Sequence, residues 1–204
     1  MTSAVVPTDP RNDVRTIVGG GIRVGLATAA GVTVFALLSR PLTGTTETVV
    51  QSLIVLLGGA VVSYWPAAMV RPRDVDTIGW TALLAVVGAV AFTILDIAVL
   101  RPVHLYHWTW DAIGGGSGFW YIPIWLMGGT FLAGVGATVY SYRPASGAGP
   151  GPAELSGQTA AIAVVLFGVI TGTGILPFHA SVVALSFALA LVVRAVIAAR
   201  QSTH

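Results

Sequence analysis

The chain has 204 residues, 55% of them hydrophobic and only 9% charged, where a soluble domain carries roughly 25% charged residues. A mean hydropathy of +0.85 leaves too little polar surface to cover a water-soluble globule, so the chain reads as one membrane domain. Cysteine and lysine are both absent, which excludes disulfides, thiol nucleophiles, iron–sulfur clusters, Schiff-base chemistry and a Walker lysine.

Residues 1–16 form a polar tail of mixed charge. No small-residue cleavage signal follows the first apolar stretch, so that stretch is expected to be a retained helix rather than a signal peptide. A spanning helix needs about 20 mostly apolar residues. Six stretches qualify: 17–39, 48–70, 77–100, 119–142, 158–176 and 178–199. The Arg-Pro pairs at Arg40-Pro41, Arg71-Pro72, Arg101-Pro102 and Arg143-Pro144 end the first four, because proline disfavours helical geometry in the residue before it. A tight turn near Pro177 separates the last two.

The predicted fold class is all-α: a polytopic membrane helix bundle of six transmembrane helices with both termini cytoplasmic. Arginine placement sets the orientation. With the amino terminus inside, Arg11, Arg15, Arg23, Arg71, Arg73, Arg143, Arg194 and Arg200 lie on the cytoplasmic side, and only Arg40 and Arg101 lie outside. That asymmetry obeys the positive-inside rule, and a count of five or seven crossings would spoil it. The arginines thus serve topology, and nucleic acid is not an expected partner. The composition of residues 144–157, PASGAGPGPAELSG, predicts a flexible cytoplasmic linker.

Small residues recur at four-residue spacing in Gly21, Gly25 and Ala29, in Gly129 and Ala133, and in Gly168 and Gly172. Such stripes let helices approach closely in lipid, and packing within the bundle is the expected use.

The extracytoplasmic loop 101–118, RPVHLYHWTWDAIGGGSG, holds the most unusual chemistry. Read as a short interfacial helix from Pro102, it gathers His104, His107 and Asp111 within about 60° of one another. His179, in the turn between the fifth and sixth helices, falls on the same side of the membrane. One reading groups His104, His107, Asp111 and His179 around a divalent metal, with Asp96 orienting a ligand or relaying protons. A haem held by His179 and one loop histidine is a variant. The competing reading makes these residues an interfacial polar stripe and pairs Asp96 with Arg101. Glu47 is a further candidate for the same polar cluster.

Trp108, Trp110, Trp120, Tyr121 and Trp125 crowd the same boundary, either as an aromatic belt at the headgroups or as a wall against a quinone or lipid tail. Pro123 is expected to kink the fourth helix. On the cytoplasmic side, Tyr64, Trp65 and Pro66 read as an interfacial anchor, and Arg71, Arg73, Asp74 and Asp76 as a locally ion-paired loop.

No general hydrolase, kinase or nucleotide motif appears. Three functions remain open. The first, favoured by the smooth apolar helices and few buried charges, is a non-catalytic subunit or scaffold of the cell membrane that packs with other membrane components. The second is a membrane enzyme with an extracytoplasmic metal or haem centre acting on a lipid-like or quinone-like substrate. The third is a small carrier or channel, for which Thr171 and Thr173 are the candidate polar positions.

Overall fold

The computed structural model describes residues 13–72, 74–105, 121–142 and 149–201. Among them are six helices long and apolar enough to cross a membrane, and no strand. Their α-helical parts are α1 (Val14–Ser39), α2 (Gly44–Val70), α3 (Val75–Leu95), α4 (Gly129–Ser141), α5 (Pro152–Gly172) and α6 (Ala180–Gln201), and the third and fourth spans, Val75–Leu100 and Ile124–Ser141, reach full length only with the adjoining π-helical residues. Two π-helical segments extend this frame: Asp96–Leu100 continues α3, and Tyr121–Gly128 leads into α4. The chain is thus an integral, multi-pass membrane protein. With six crossings, the start of α1 and the end of α6 lie at one membrane edge, here called the near edge. The end of α3 and the α5–α6 turn lie at the opposite, far edge.

The helix starts show their physical causes. Asp13 caps α1, its carboxylate accepting the Thr16 amide at 2.6 Å. Asp74 caps α3 by accepting the Thr77 amide at 2.8 Å, while the Thr77 hydroxyl accepts the Asp74 amide at 3.1 Å. This reciprocal box satisfies two amides that the first turn leaves open. In the charged loop Asp74 thus serves as a cap, a role the expectation of local ion pairing did not include. Arg73 lies outside the described residues.

The amide of Thr77, followed by its hydroxyl, holds the Asp74 carboxyl below its usual range. A carboxylate whose folded value is depressed contributes stability in full above the unfolded value of about 4, and loses it as pH falls through the folded value. Replacing Asp74 with Ala should therefore lower the melting temperature at pH 7. The gap between the two proteins should close as thermal scans move toward pH 3, and a pH-independent gap would contradict the capping role.

The linker expectation is corrected for residues 152–157 alone, and residues 144–148 lie outside the described residues. Helix α5 begins at Pro152, inside the segment 144–157, with proline at its first position and Glu154 in its first turn. Proline is well placed there because a first-turn amide needs no partner. The expectation failed because Pro and Gly at 149–152 mark a helix start as readily as a linker.

Helix α2 is the centre of the bundle and packs on all five others. The rest form an arc around it, α1 on α3, α3 on α4, α4 on α6 and α6 on α5. Glycines make the close approaches. A Cβ on Gly25 would sit 2.7 Å from the Gly88 carbonyl of α3, and one on Gly21 would strike Val87. The Gly21–Gly25 stripe thus packs within the bundle as expected. Gly168 and Gly172 show no such approach, because among the described residues nothing lies within 4 Å of either Cβ position.

The core is concentrated in the near half and middle of the bundle. Tyr64, Val139, Leu155 and Leu191 form one cluster, and Ala163, Phe187 and Ala190 another. Tyr64 is only 1% exposed, and its hydroxyl lies 2.7 Å from that of Thr159. This corrects its reading as an interfacial anchor: buried phenols need a hydrogen-bond partner, and Thr159 supplies it. Leu53 and Leu57, in the far half of α2, are 61% and 67% exposed, as lipid-facing residues can be.

Candidate functional site at the far membrane edge

The far end of α3 carries a buried charge. Asp96 is 1% exposed although aspartate is costly inside a membrane segment. Its carboxylate accepts a hydrogen bond from Arg101 Nε at 3.1 Å, and the Arg101 side chain is 36% exposed. The five-residue spacing does not suit a regular α-helix, whose facing neighbours are three and four apart. The π-helical turn accommodates it, with the Arg101 amide bonded to the Asp96 carbonyl at 3.0 Å. Of the two sequence readings of Asp96, the pairing with Arg101 is the one observed.

The chain then turns sharply. The His104 amide bonds the Arg101 carbonyl at 2.8 Å, and His104 adopts a left-handed φ of 49°. That conformation is unfavourable for a residue with a Cβ. Residues 101–104 thus form a turn closing α3, and the rest of the expected interfacial helix lies outside the described residues. From the end of α1, Arg40 braces this turn by donating to the carbonyls of His104 at 3.1 Å and Leu105 at 2.6 Å. Neither bond was legible in the sequence, since 64 and 65 residues separate the partners. Nearby on the same edge, Gln51 bridges the hydroxyl of Ser39 at 3.0 Å and the carboxylate of Glu47 at 2.9 Å. Gln51 therefore ties α2 to α1, and Glu47, one turn earlier on α2, holds the Gln51 amide in place.

Replacing Arg40 with Gln should free both carbonyls. Loss of charge-assisted hydrogen bonds of this kind corresponds to about tenfold faster amide exchange over residues 101–105, with little change in global unfolding. Unchanged exchange would show that the brace does not hold the turn.

Trp125 lies against Phe92 of α3, with ring centroids 4.6 Å apart and planes tilted by 49°. It thereby joins α3 to the segment that enters α4, in a geometry that aromatic pairs favour. That segment, Tyr121–Gly128, is wound as a π-helix where Pro123 was expected to cause a kink. Trp108, Trp110 and Trp120 lie outside the described residues, and Tyr121 enters only as the first residue of this segment.

His179 is exposed and caps α6. Its Nδ1 accepts the Ser181 amide at 3.2 Å and lies 2.8 Å from the Ser181 hydroxyl. The cap thus uses Nδ1, and Nε2 takes no part in it. Among the described residues no three His, Asp or Glu side chains form a group able to hold a metal, so Asp96, His104 and His179 do not make one. His107 and Asp111, the other members of the proposed metal set, lie outside the described residues.

The hydroxyls named for a carrier are turned back onto their own helix. Thr171 donates to the Phe167 carbonyl at 2.7 Å and Thr173 to the Val169 carbonyl at 2.8 Å. Threonine commonly satisfies itself this way in a membrane helix. One cationic feature escaped the sequence reading. Arg194 of α6 has a buried Nε without a hydrogen-bond partner among the described residues.

The far edge therefore brings together Asp96, Arg101, Arg40 and the His104 turn, with Trp125 packed beside them on α3. This arrangement can hold the first residues of the 101–120 connection rigidly against α1 and α3. Comparison of the chain with known protein families, curated proteins and solved structures finds no match.

Proposed function

We propose that the chain is a non-catalytic membrane subunit or scaffold that presents its α3–α4 connection, residues 101–120, to another membrane component. In this reading it resides in the cell membrane with both termini cytoplasmic and the connection outside. The observation that carries the proposal is the double anchoring of the connection's first turn, by the buried Asp96–Arg101 pair and by Arg40. Holding a connection so firmly at its root lowers the ordering cost when a partner binds it. The aromatic residues of the connection, Trp108, Trp110 and Trp120, are of the type enriched at binding hot spots.

The test is purification of the full chain in mild detergent, followed by mass measurement of the intact complex. A second membrane protein in fixed stoichiometry is expected, and the Arg40→Gln variant should lose it while keeping its own melting temperature. A homogeneous chain with no second component would overturn the reading.

A second reading rests on the two π-helical segments that bracket the connection. Such segments occur frequently at functional sites, and one of them carries Asp96. It makes the far edge a metal or haem centre using His104, His107, Asp111 and His179 on a lipid-like or quinone-like substrate. Stoichiometric metal or a Soret band in the purified protein, lost on replacing His107 with Ala, would establish it over the scaffold.

A further inference from the structure

A cavity of about 330 Å³ opens at the near edge, lined by Arg15, Thr16, Gly19, Gly20 and Arg23 of α1 and by Met69 of α2. Thr16, Gly19, Gly20 and Arg23 follow the spacing of one helix face. The two arginines are exposed, and neither guanidinium has a hydrogen bond or ion pair among the described residues. Asp13 is the acid closest in sequence; its carboxylate is engaged by the Thr16 amide and feels the charge of Arg15, with no direct ion pair between the two.

Arg23 is out of place for a residue that only sets topology. It lies about 14 Å along α1 from Val14, at 1.5 Å per residue. For a helix centred on a hydrocarbon layer of about 30 Å, that position is about 9 Å inside the layer. A cation at that depth is costly unless it snorkels to the edge or meets an anion. Side chains on a helix tilt toward its amino terminus, which here is the near edge. Arg23 thereby shares a cavity with Arg15, eight residues before it in the chain.

We propose that this cavity seats the phosphate of an anionic membrane phospholipid from the leaflet at the near edge. The two guanidiniums supply the charge and the paired donors that phosphate oxygens take. The Thr16 hydroxyl adds a neutral donor, and the Met69 side chain forms the apolar wall beside which the lipid's glycerol end lies. A phosphate on the lipid meets the cation at the depth where Arg23 needs it, and arginine-lined pockets between helices at the cytoplasmic face suit anionic headgroups. Gly19 keeps the floor open, since nothing lies within 4 Å of its Cβ position. Gly20 serves another purpose: a Cβ there would strike Leu84 of α3 at 2.7 Å.

The test uses the full chain in mild detergent with native mass spectrometry of lipid retained after exposure to phosphatidylglycerol or phosphatidylcholine. Preferential retention of phosphatidylglycerol is expected. The double variant Arg15→Gln/Arg23→Gln should lower it about tenfold, the size expected when charge-assisted hydrogen bonds are lost. Gly19→Leu should lower it comparably with both arginines in place, because it fills the cavity without touching the packed face. Arg200→Gln, on the last turn of α6, should leave it unchanged.

Equal retention of the two lipids, or full retention by the double variant, would overturn the proposal. So would full retention by Gly19→Leu, which would place the lipid elsewhere. Displacement of the lipid by millimolar inorganic phosphate would assign the cavity to the free ion and overturn the lipid.

Discussion

Replacing Gly136 with alanine is expected to destabilise the bundle by about 1–3 kcal/mol or more, the range for overpacking a well-packed interior. A Cβ there would overlap the carbonyl of Ser63, a backbone group of α2 that no rotamer change can move aside. The two helices would have to separate where α2 and α4 contribute Tyr64 and Val139 to one core cluster. The matched control is Gly134→Ala on the same helix. Nothing lies within 4 Å of that Cβ position, so the variant should be neutral or gain up to about 1 kcal/mol of helix propensity. Thermal unfolding in detergent compares the two variants directly. Equal melting temperatures would mean that α2 and α4 do not meet at this point.

The second large effect is an asymmetry between the two members of the buried ion pair. Replacing Arg101 with Gln takes the cation from a carboxylate that is 1% exposed. Breaking a buried pair from one side costs about 3–5 kcal/mol, and the 36% exposure of Arg101 moves the expectation toward the lower end. Replacing Asp96 with Asn leaves a guanidinium that can turn toward water, so it should cost less. The double variant should resemble Asp96→Asn alone, giving a coupling within about 0.5–3 kcal/mol for residues in direct contact. A cycle in which the two single costs add would contradict the pair. So would a larger loss from Asp96→Asn than from Arg101→Gln.

Helix number was readable because hydropathy and the Arg-Pro pairs report on the same boundaries. Arg40 and Arg71 are indeed the residues that close α1 and α2. Helix starts were less legible. Thr45, Thr46 and Glu47 lower the hydropathy of the first turn of α2, yet that turn is helical from Gly44. The same holds for Glu154 in α5. A polar first turn is good helix chemistry and poor transmembrane hydropathy, so the apolar stretch is shorter than the helix.

At the far edge the sequence marked Asp96 as unusual and named Arg101 as a possible partner. The π-helical turn that lets a five-residue spacing form the pair leaves no mark in composition. Arg40 was counted only as an outside arginine, since its carbonyl partners lie far along the chain. His179 was chosen for its residue type and expected side of the membrane. Its capping of α6 depends on a local turn that neither signal reports. The small-residue stripes divide for a related reason. Gly21–Gly25 and Gly168–Gly172 look alike in sequence, and only the packing distinguishes them, against α3 for the first and against none of the described residues for the second.

The central claim is a six-crossing bundle that holds both chain ends on one side and presents the braced α3–α4 connection on the other. The absence of native cysteine makes a direct test clean. Single replacements Ser3→Cys, Ser117→Cys and Ser202→Cys can be treated in intact cells with a membrane-impermeant maleimide. The account expects labelling at 117 alone, with positions 3 and 202 reacting only after the membrane is permeabilised. Labelling of either end in intact cells, or protection of position 117, would contradict it.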